Sequence, residues 1–539
     1  MERRCARRCK TARVPRIRET AHNRERAMPS VCKAHVRLPQ LRPRADRPIR
    51  SLASTSRATR DALAAEPYNG AQPPTRCARL APQGGTVLES FQLPARRAHS
   101  ARVLMPRLLA VLSLACCVLL GTPALAGAET RMTDIVCGVT AEERGLTNAE
   151  LPDIEAAQAI VMDPNGTVYF ERDADTQTKI ASITKVMTAI VALENADLST
   201  TITVNHAAAT VGESTAHLQE GDTLTLETAL RALLIPSGND AAMAIATTVG
   251  AIIDPASTDP YATFIQAMND KAAELGMDAT FTNPHGLDFG DWVGDMHASA
   301  RDVVTMFSYA MKNDTFREID GSGDNTITVT GADGAEREVT FKVRNDILGQ
   351  EGNVGGKTGT TYDAGTCFVG TFQRDGKEVY VVVLGCSDND SRFSNTLTLA
   401  NWYYEHLKTV PLFESSKLTP DGDPLIARAS DTDWTDKTVD VTVADANVTA
   451  SYFDLEGDVS LKVDTVDFSG DVQRGDHAGT LALCQGETEL ASVELVAAEE
   501  VRAPSPLEWL LVQFDRFTRF FTGEPGAAET EVIATTPKA

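Results

Sequence analysis

Cationic residues, cysteine and long apolar runs are scarce over most of this 539-residue chain, and each scarcity removes a class of protein. The formal net charge is −23, and that average hides a split. Residues 1–104 hold 23 Lys+Arg against 7 Asp+Glu, which leaves 28 against 67, a formal −39, for residues 105–539. So acidic a body argues against a nucleic-acid partner, because phosphate binding needs a cationic surface. Four of the ten cysteines precede Met105 and two, Cys116 and Cys117, sit in one apolar run. Only Cys137, Cys367, Cys386 and Cys484 remain beyond it, too sparse for a disulfide framework. Cys367 and Cys386 fall on two apolar runs joined by a turn; a pair of buried thiols is expected, with a single bridge the alternative. His217, His285 and His297 are isolated, and neither a His-Glu-x-x-His nor a Cys-x-x-Cys pattern occurs, so neither metal nor cofactor is expected. What is present is 42% hydrophobic and 23% charged residues, the balance of a folded protein, in a length that suggests two or three domains.

The first 104 residues are rich in Arg, Ala and Pro and lack apolar periodicity. They read as an unstructured extension from a start placed too far upstream. Met105-Pro106-Arg107 then opens a short basic start, Leu108 to Leu120 is apolar except for Ser113, and Ala124-Leu125-Ala126 is a small-x-small pattern. These are the three regions of a secretory signal peptide over 105–126, its apolar run well short of the roughly 20 residues that span a bilayer. Export is therefore expected, with a mature chain starting near Gly127.

Residues 150–410 mix strands and helices. Ala159–Met162 and Val168–Phe170 flank Pro164-Asn165-Gly166 and read as a hairpin, as do the runs around Gly331–Gly334 and around Asp375-Gly376. Helical periodicity marks 182–195, 227–234, 241–249, 261–275, 300–311 and 397–407. Helices in the middle with strands at both ends describe an α+β domain. Short alternating runs such as Thr438–Val443 and Val459–Val463 then describe a small all-β domain over 420–503, bounded by the polar stretch 411–424. The tail 523–539 is small and acidic and reads as disordered.

Three motifs fall in order within the α+β domain. Ser182-Ile183-Thr184-Lys185 opens an amphipathic helix, and the i,i+3 spacing puts hydroxyl and amine on one face. A serine needs a base to become a nucleophile, and burial plus the positive end of a helix dipole depress a lysine enough to serve. Ser237-Gly238-Asn239 lies in a tight turn between apolar helices, where Ser237 suits a proton relay and Asn239 suits holding a substrate amide and Lys185. Gly355-Gly356-Lys357-Thr358-Gly359-Thr360-Thr361 offers a cation and a hydroxyl for a substrate carboxylate, with glycines that let an extended substrate lie alongside as an added strand. A phosphate-binding loop fails on spacing, because Glu351 stands where its first glycine belongs.

Together the motifs resemble those of the penicillin-recognising serine acyl transferases, Ser-x-x-Lys, Ser-x-Asn and Lys-Thr-Gly. Lys179–Ala189, Thr282–Leu287, Ala298–Asp302, Lys357–Cys367 and Arg474–Thr480 are similar to the low-molecular-mass D-alanyl-D-alanine carboxypeptidases, a resemblance that covers about 150–505. The resemblance implies a penicillin-binding, β-lactamase-like transpeptidase fold, an antiparallel sheet with helices, followed by a small all-β domain. It implies that Ser182 attacks the carbonyl between the last two D-alanines of a peptidoglycan stem peptide and that β-lactam antibiotics are trapped there. Lys185 would accept the serine proton and Ser237 would help pass it to the leaving amine. Lys357, Thr358 and Gly359 would hold the terminal carboxylate, and the backbone N–H groups of Ser182 and Thr360 would form the oxyanion hole. Arg392 is either added positive charge near that carboxylate or a solvated helix arginine. Thr360 stands where some family members carry histidine, which bears on rate and preference. Two alternatives share the scaffold. A β-lactamase-like hydrolase needs a Glu-x-x-x-Asn pattern, and Glu274–Asp278 lacks the asparagine. A non-catalytic wall-binding protein would not need Ser182, Lys185, Ser237, Asn239 and Lys357 intact.

At about 100° per residue, Leu507, Leu510, Leu511, Phe514, Phe517, Phe520 and Phe521 crowd one side of a helix over 505–522. Glu508, Asp515, Arg516 and Arg519 take the other, with Val512 the apolar exception. Such a helix is too short and too charged to span a bilayer but suits its interface. Many members of the family carry such a tail. The expected location is the outer face of the cytoplasmic membrane, peripherally anchored.

Overall fold

The computed structural model describes residues 128–538; the extension 1–104 and the signal pattern 105–126 lie outside the described residues. In chain order, β1 (Ile135–Val136) and β2 (Val139–Thr140) precede the hairpin β3 (Gln158–Met162) and β4 (Val168–Arg172). Then follow α1 (Lys185–Asn195), β5 (Thr201–Thr203), β6 (Thr223–Thr225), α2 (Leu226–Leu234), α3 (Asn239–Ile253), α4 (Pro260–Glu274), α5 (Ala300–Ala310) and α6 (Asp314–Asp320). After β7 (Thr326–Thr330) and β8 (Glu336–Thr340) come β9 (Asn353–Thr361), β10 (Gly365–Arg374), β11 (Lys377–Cys386) and α7 (Asn389–His406). The chain thus adopts the expected α+β organisation.

Turn chemistry sets two of the hairpins. Asp163 Oδ1 accepts from the N–H groups of Asn165 and Thr167, each at 2.9 Å, and folds the β3–β4 turn. Asp375 and Gly376 both have positive φ, 49° and 74°, as a two-residue turn between twisted strands requires. The main sheet runs β2-β1-β4-β3-β11-β10-β9, antiparallel at every pairing. Its central strands are apolar on both sides because both faces are covered. Ile160, Val369 and Val382 pack with α1, α2, α3 and α5, while Val161, Phe368 and Val381 pack against Leu399, Ala400 and Trp402 of α7. Strand β9 forms one edge, leaving its outer side for another extended chain.

The all-β part contains β12 (Leu407–Pro411), β13 (Ala427–Ser430), β14 (Thr438–Val443), β15 (Thr449–Phe453), β16 (Val459–Thr465), β17 (His477–Gln485) and β18 (Thr488–Ala497). Two features differ from the sequence reading. Strand β12 pairs with β15 directly after α7, so the polar stretch 411–424 lies inside this part rather than before it. The tail is not disordered: after α8 (Pro506–Thr522), β19 (Glu531–Val532) pairs with β13, Thr535 exchanges backbone hydrogen bonds with Glu414, and Ala534 is buried. The cause is the run Val532-Ile533-Ala534-Thr535-Thr536, whose β-branched residues suit a sheet edge despite the acidic composition around them. The four described cysteines are free thiols, with Cys367 and Cys386 buried.

Candidate active site

Ser182 sits in a single 3₁₀ turn, Ala181–Thr184, that runs straight into α1. The turn is held in an uncommon shape. Ala181 has φ 48°, and two glycines let neighbouring backbone press against it. A Cβ on Gly286 would stand 1.9 Å from the Ala181 carbonyl oxygen, and one on Gly359 would stand 2.5 Å from that of Ile180. The turn that carries Ser182 is thereby clamped between the 283–287 loop and β9.

Lys185, one helical turn on, is fully buried, and its Nζ lies 2.9 Å from Ser182 Oγ, 2.7 Å from Asn239 Oδ1 and 2.8 Å from the His285 carbonyl oxygen. Burial holds its amine well below the ordinary lysine range, and the nearby Lys357 charge pushes the same way against Asp240. A neutral amine has two protons and one lone pair. The amide and peptide oxygens only accept, so both protons are committed to them and the lone pair is left facing the serine hydroxyl. The arrangement is the one that a general base would need.

The second motif supplies two of those neighbours' supports. Ser237 is buried with φ 65°, and Asn239 Nδ2 donates to the Gly212 carbonyl at 3.0 Å. Asp240 gathers the 215–218 loop, accepting from Thr215 Oγ1 at 2.6 Å and from the N–H groups of Ala216 and Leu218. Across the cleft, Lys357 of β9 is buried and donates from Nζ to Ser237 Oγ at 2.8 Å and to the Thr358 carbonyl at 2.9 Å. The hydroxyls and amines therefore form two pairs, Lys185 with Ser182 and Lys357 with Ser237, and the second motif ties them together because Asn239, two residues from Ser237, holds Lys185.

Burial lowers Lys357 to about 7, with Arg392 and Arg344 adding repulsion and Asp320 opposing it. Asp320, at the end of α6, is itself raised to about 7 by burial, resisted by Lys357 and by a hydrogen bond from the Gly356 backbone. Its carboxylate lies where a Cβ on Gly355 would come within 2.6 Å, so the glycine admits it beneath β9. Arg392, from the first turn of α7, is not solvated. It is buried and donates from Nη1 to the Gly359 carbonyl at 2.9 Å and to Thr360 Oγ1 at 2.8 Å. Thr358 is buried and Thr360 exposed on the same strand. Thr361 Oγ1 donates to Asp288 at 2.6 Å and accepts from the Ala364 N–H at 3.1 Å, which closes the β9–β10 turn.

The motif residues Ser182, Lys185, Ser237, Asn239, Lys357, Thr358, Gly359, Thr360 and Arg392 thus lie around one cleft. Two contributors escaped the sequence reading. His285 acts through its backbone carbonyl, delivered by a turn in which Asn283 Oδ1 accepts from the N–H groups of His285 and Gly286, and its ring is buried against Trp292. The loop was marked only as the stretch Thr282–Leu287 that carries part of the family resemblance. Asp320 carried no signal. Glu274 does not reach the cleft; it is exposed and paired with Lys271 at 2.7 Å.

A sequence model of the family described as D-alanyl-D-alanine carboxypeptidase matches residues 146–388. The D-alanyl-D-alanine carboxypeptidase of Streptomyces sp. (strain K15) is 32% identical over 262 residues, 47% of this chain and 88% of that protein. D-alanyl-D-alanine carboxypeptidase DacF of Bacillus subtilis (strain 168) is 23% identical over 389 residues, 70% of this chain and 94% of that protein. The crystal structure of the Streptomyces K15 DD-transpeptidase superposes with a TM-score of 0.44 at 32% identity, covering 47% of this chain and 98% of that one.

Proposed function

This chain belongs to the D-alanyl-D-alanine carboxypeptidase family, a serine hydrolase family, and from that membership we propose how its own residues perform the reaction. The observation that carries the proposal is the 2.9 Å contact from Lys185 Nζ to Ser182 Oγ, with the other two partners of the amine unable to donate. Ser182 gives its proton to the Lys185 lone pair and its oxygen attacks the carbonyl carbon between the two terminal D-alanines of a stem peptide. The carbonyl oxygen takes the negative charge, facing the N–H groups of Ser182 and Thr360. The C–N bond then breaks. The leaving nitrogen takes a proton from the Ser237 hydroxyl, which is replenished from the Lys185 ammonium. Free D-alanine departs, and water repeats the proton path to hydrolyse the ester. Lys357, Thr358 and Gly359 hold the substrate carboxylate, with Arg392 adding charge behind β9. A β-lactam follows the first half, but its leaving nitrogen stays tethered and the ester persists. Ser182→Ala is expected to abolish labelling by a fluorescent penicillin while leaving the fold intact by circular dichroism; persistent labelling would refute the assignment.

The envelope location is part of the same proposal. The pattern at 105–126 supports export. Helix α8 supports peripheral attachment: Leu507, Trp509, Leu510, Leu511, Phe514, Phe517, Phe520 and Phe521 are 52–80% exposed, whereas Val512 on the opposite side is 6% exposed. An apolar patch of that size is unusual on a protein that meets only water. No helix among the described residues is long and apolar enough to cross a membrane, so α8 would lie in the interface.

A further inference from the structure

Where the two parts of the chain meet, the tips of β3–β4 and β10–β11 face β15 and the β17–β18 hairpin across an open cleft of about 630 Å³. That is within the usual size of a small-ligand site, and domain junctions are where such sites concentrate. The cleft is distinct from the catalytic one. Tyr169, Tyr403 and Phe453 in its wall belong to the core layer on the α7 side of the main sheet, and Ile183 and Val186, which flank the Ser182–Lys185 motif, belong to the layer on the opposite side.

Its lining combines rings with hydrogen-bonding groups that are not fully used. Tyr169 meets Tyr403 and Phe453 with ring centroids 4.9 Å apart in each case, and Tyr452 completes the aromatic wall. Burial raises the Tyr169 phenol and pushes Tyr403 up to about 12, so both hydroxyls stay neutral. Gln485 gives both amide protons to backbone carbonyls, at 2.8 and 2.7 Å, which leaves its oxygen as an acceptor. Asp163 spends Oδ1 on its own turn, while Oδ2 has partners only at 3.4 Å. Asn165 and Lys377 are exposed at the rim.

This mixture selects a chemistry. The carboxylates of Asp163, Glu378 and Glu456 against the single Lys377 ammonium disfavour an anionic ligand, and the polar groups disfavour an acyl chain. Tyr403, Tyr452 and Phe453 are buried behind the wall, and the half-buried Tyr169 ring is the one at its surface; that ring, beside separate donors and acceptors, suits a neutral molecule with flat C–H faces and many hydroxyl and amide groups. We propose that this junction cleft is a second site, binding the N-acetylated sugar strand of the cell wall apart from its peptides. The choice of wall glycan rests on the peptidase reading above. Such a site holds the polymer while the catalytic cleft, on the other side of the sheet, works on stem peptides.

The test uses wall glycan strands stripped of peptide by an amidase, with chitotetraose as the soluble probe, on the full exported chain carrying Ser182→Ala. Strands and tetramer are expected to bind, and the exposed double substitution Asn165→Ala/Lys377→Ala is expected to weaken binding roughly tenfold or more. Thr488→Trp, which fills the cleft, is expected to do the same. Made in the Ser182 background, both variants should keep wild-type penicillin labelling, which certifies their fold. Absence of binding, or binding that neither variant weakens, overturns the proposal. Because stripped strands carry no D-alanine, failure of the catalytic reading would appear separately, as absent penicillin labelling with strand binding unchanged.

Discussion

Lys357 carries two demands that conflict. It must be charged to hold a carboxylate, yet burial draws it down to about 7, and Asp320 is the carboxylate that opposes the fall. The sign follows directly. The free enzyme loses the ammonium as pH rises through about 7, so KM for a D-Ala-D-Ala peptide should rise above neutrality. Removing the Asp320 charge moves that loss to lower pH. Asp320→Asn is therefore expected to raise KM roughly tenfold at neutral pH, with a smaller effect near pH 5, where Lys357 is protonated in either protein. KM profiles that superimpose from pH 5 to 9 would show that Asp320 does not govern Lys357. The same residues show what a sequence reveals at this scale. Ser182, Lys185, Ser237, Asn239 and Lys357, which the fold brings together, stood out as candidates because the proposed chemistry demands particular side chains at particular spacings. Asp320 and His285 did not. One acts through space from a helix 37 residues upstream of Lys357, and the other through a carbonyl that any residue possesses.

At the scale of elements, turns and amphipathic helices were read correctly wherever local chemistry decided them, as at Asp163–Gly166 and Asp375-Gly376. The reading faltered where tertiary cover decided. The first half of α7 is polar, so only its apolar end from Leu397 was recognised, although Asp388 caps the helix at Ser391 N and starts it at Asn389. The tail was misjudged from its charge. That matters for α8, because its ends are fastened. Ser505 and Glu508 cap its start, Arg502 pairs with Glu508 at 2.6 Å, Arg516 donates to the Thr432 and Gly526 carbonyls, and β19 closes the sheet beyond it. Deleting 505–539 would remove a sheet strand together with the helix, so substitution is the cleaner test. Leu510→Glu/Phe514→Glu/Phe517→Glu is expected to release the chain from lipid vesicles into the supernatant, with soluble-peptide turnover unchanged. Both arginines of the helix are engaged, Arg519 with Asp515 at 2.8 Å, so wild-type binding should persist in about 1 M salt and on zwitterionic lipid. Release by salt would mean that charge, not the Phe and Leu face, holds the protein.

For the whole molecule, the question is whether the peptidase and all-β parts unfold together. Their junction is an aromatic cluster assembled from both. Phe453 of β15 lies 4.9 Å from Tyr169, 5.3 Å from Trp402, 5.9 Å from His406 and 6.1 Å from Tyr403 by ring centroid. Polar ties surround it: His406 Nδ1 is 2.7 Å from Asp454, and Arg144 Nη1 donates to the Glu456 carbonyl at 3.0 Å. The sequence marked two textures but not this seam, because its members are scattered over more than 280 residues and only the fold brings them together. Phe453 is almost completely buried, and truncating a buried phenylalanine costs about 3–5 kcal/mol. That loss falls on the junction rather than on either interior. Phe453→Ala is therefore expected to split a single calorimetric transition into two, the all-β part melting first. Penicillin labelling of Ser182 should survive the first transition and vanish with the second, since the catalytic cleft lies on the far face of the main sheet. A variant that still melts in one step, merely at lower temperature, would place Phe453 inside a single cooperative core that serves both parts.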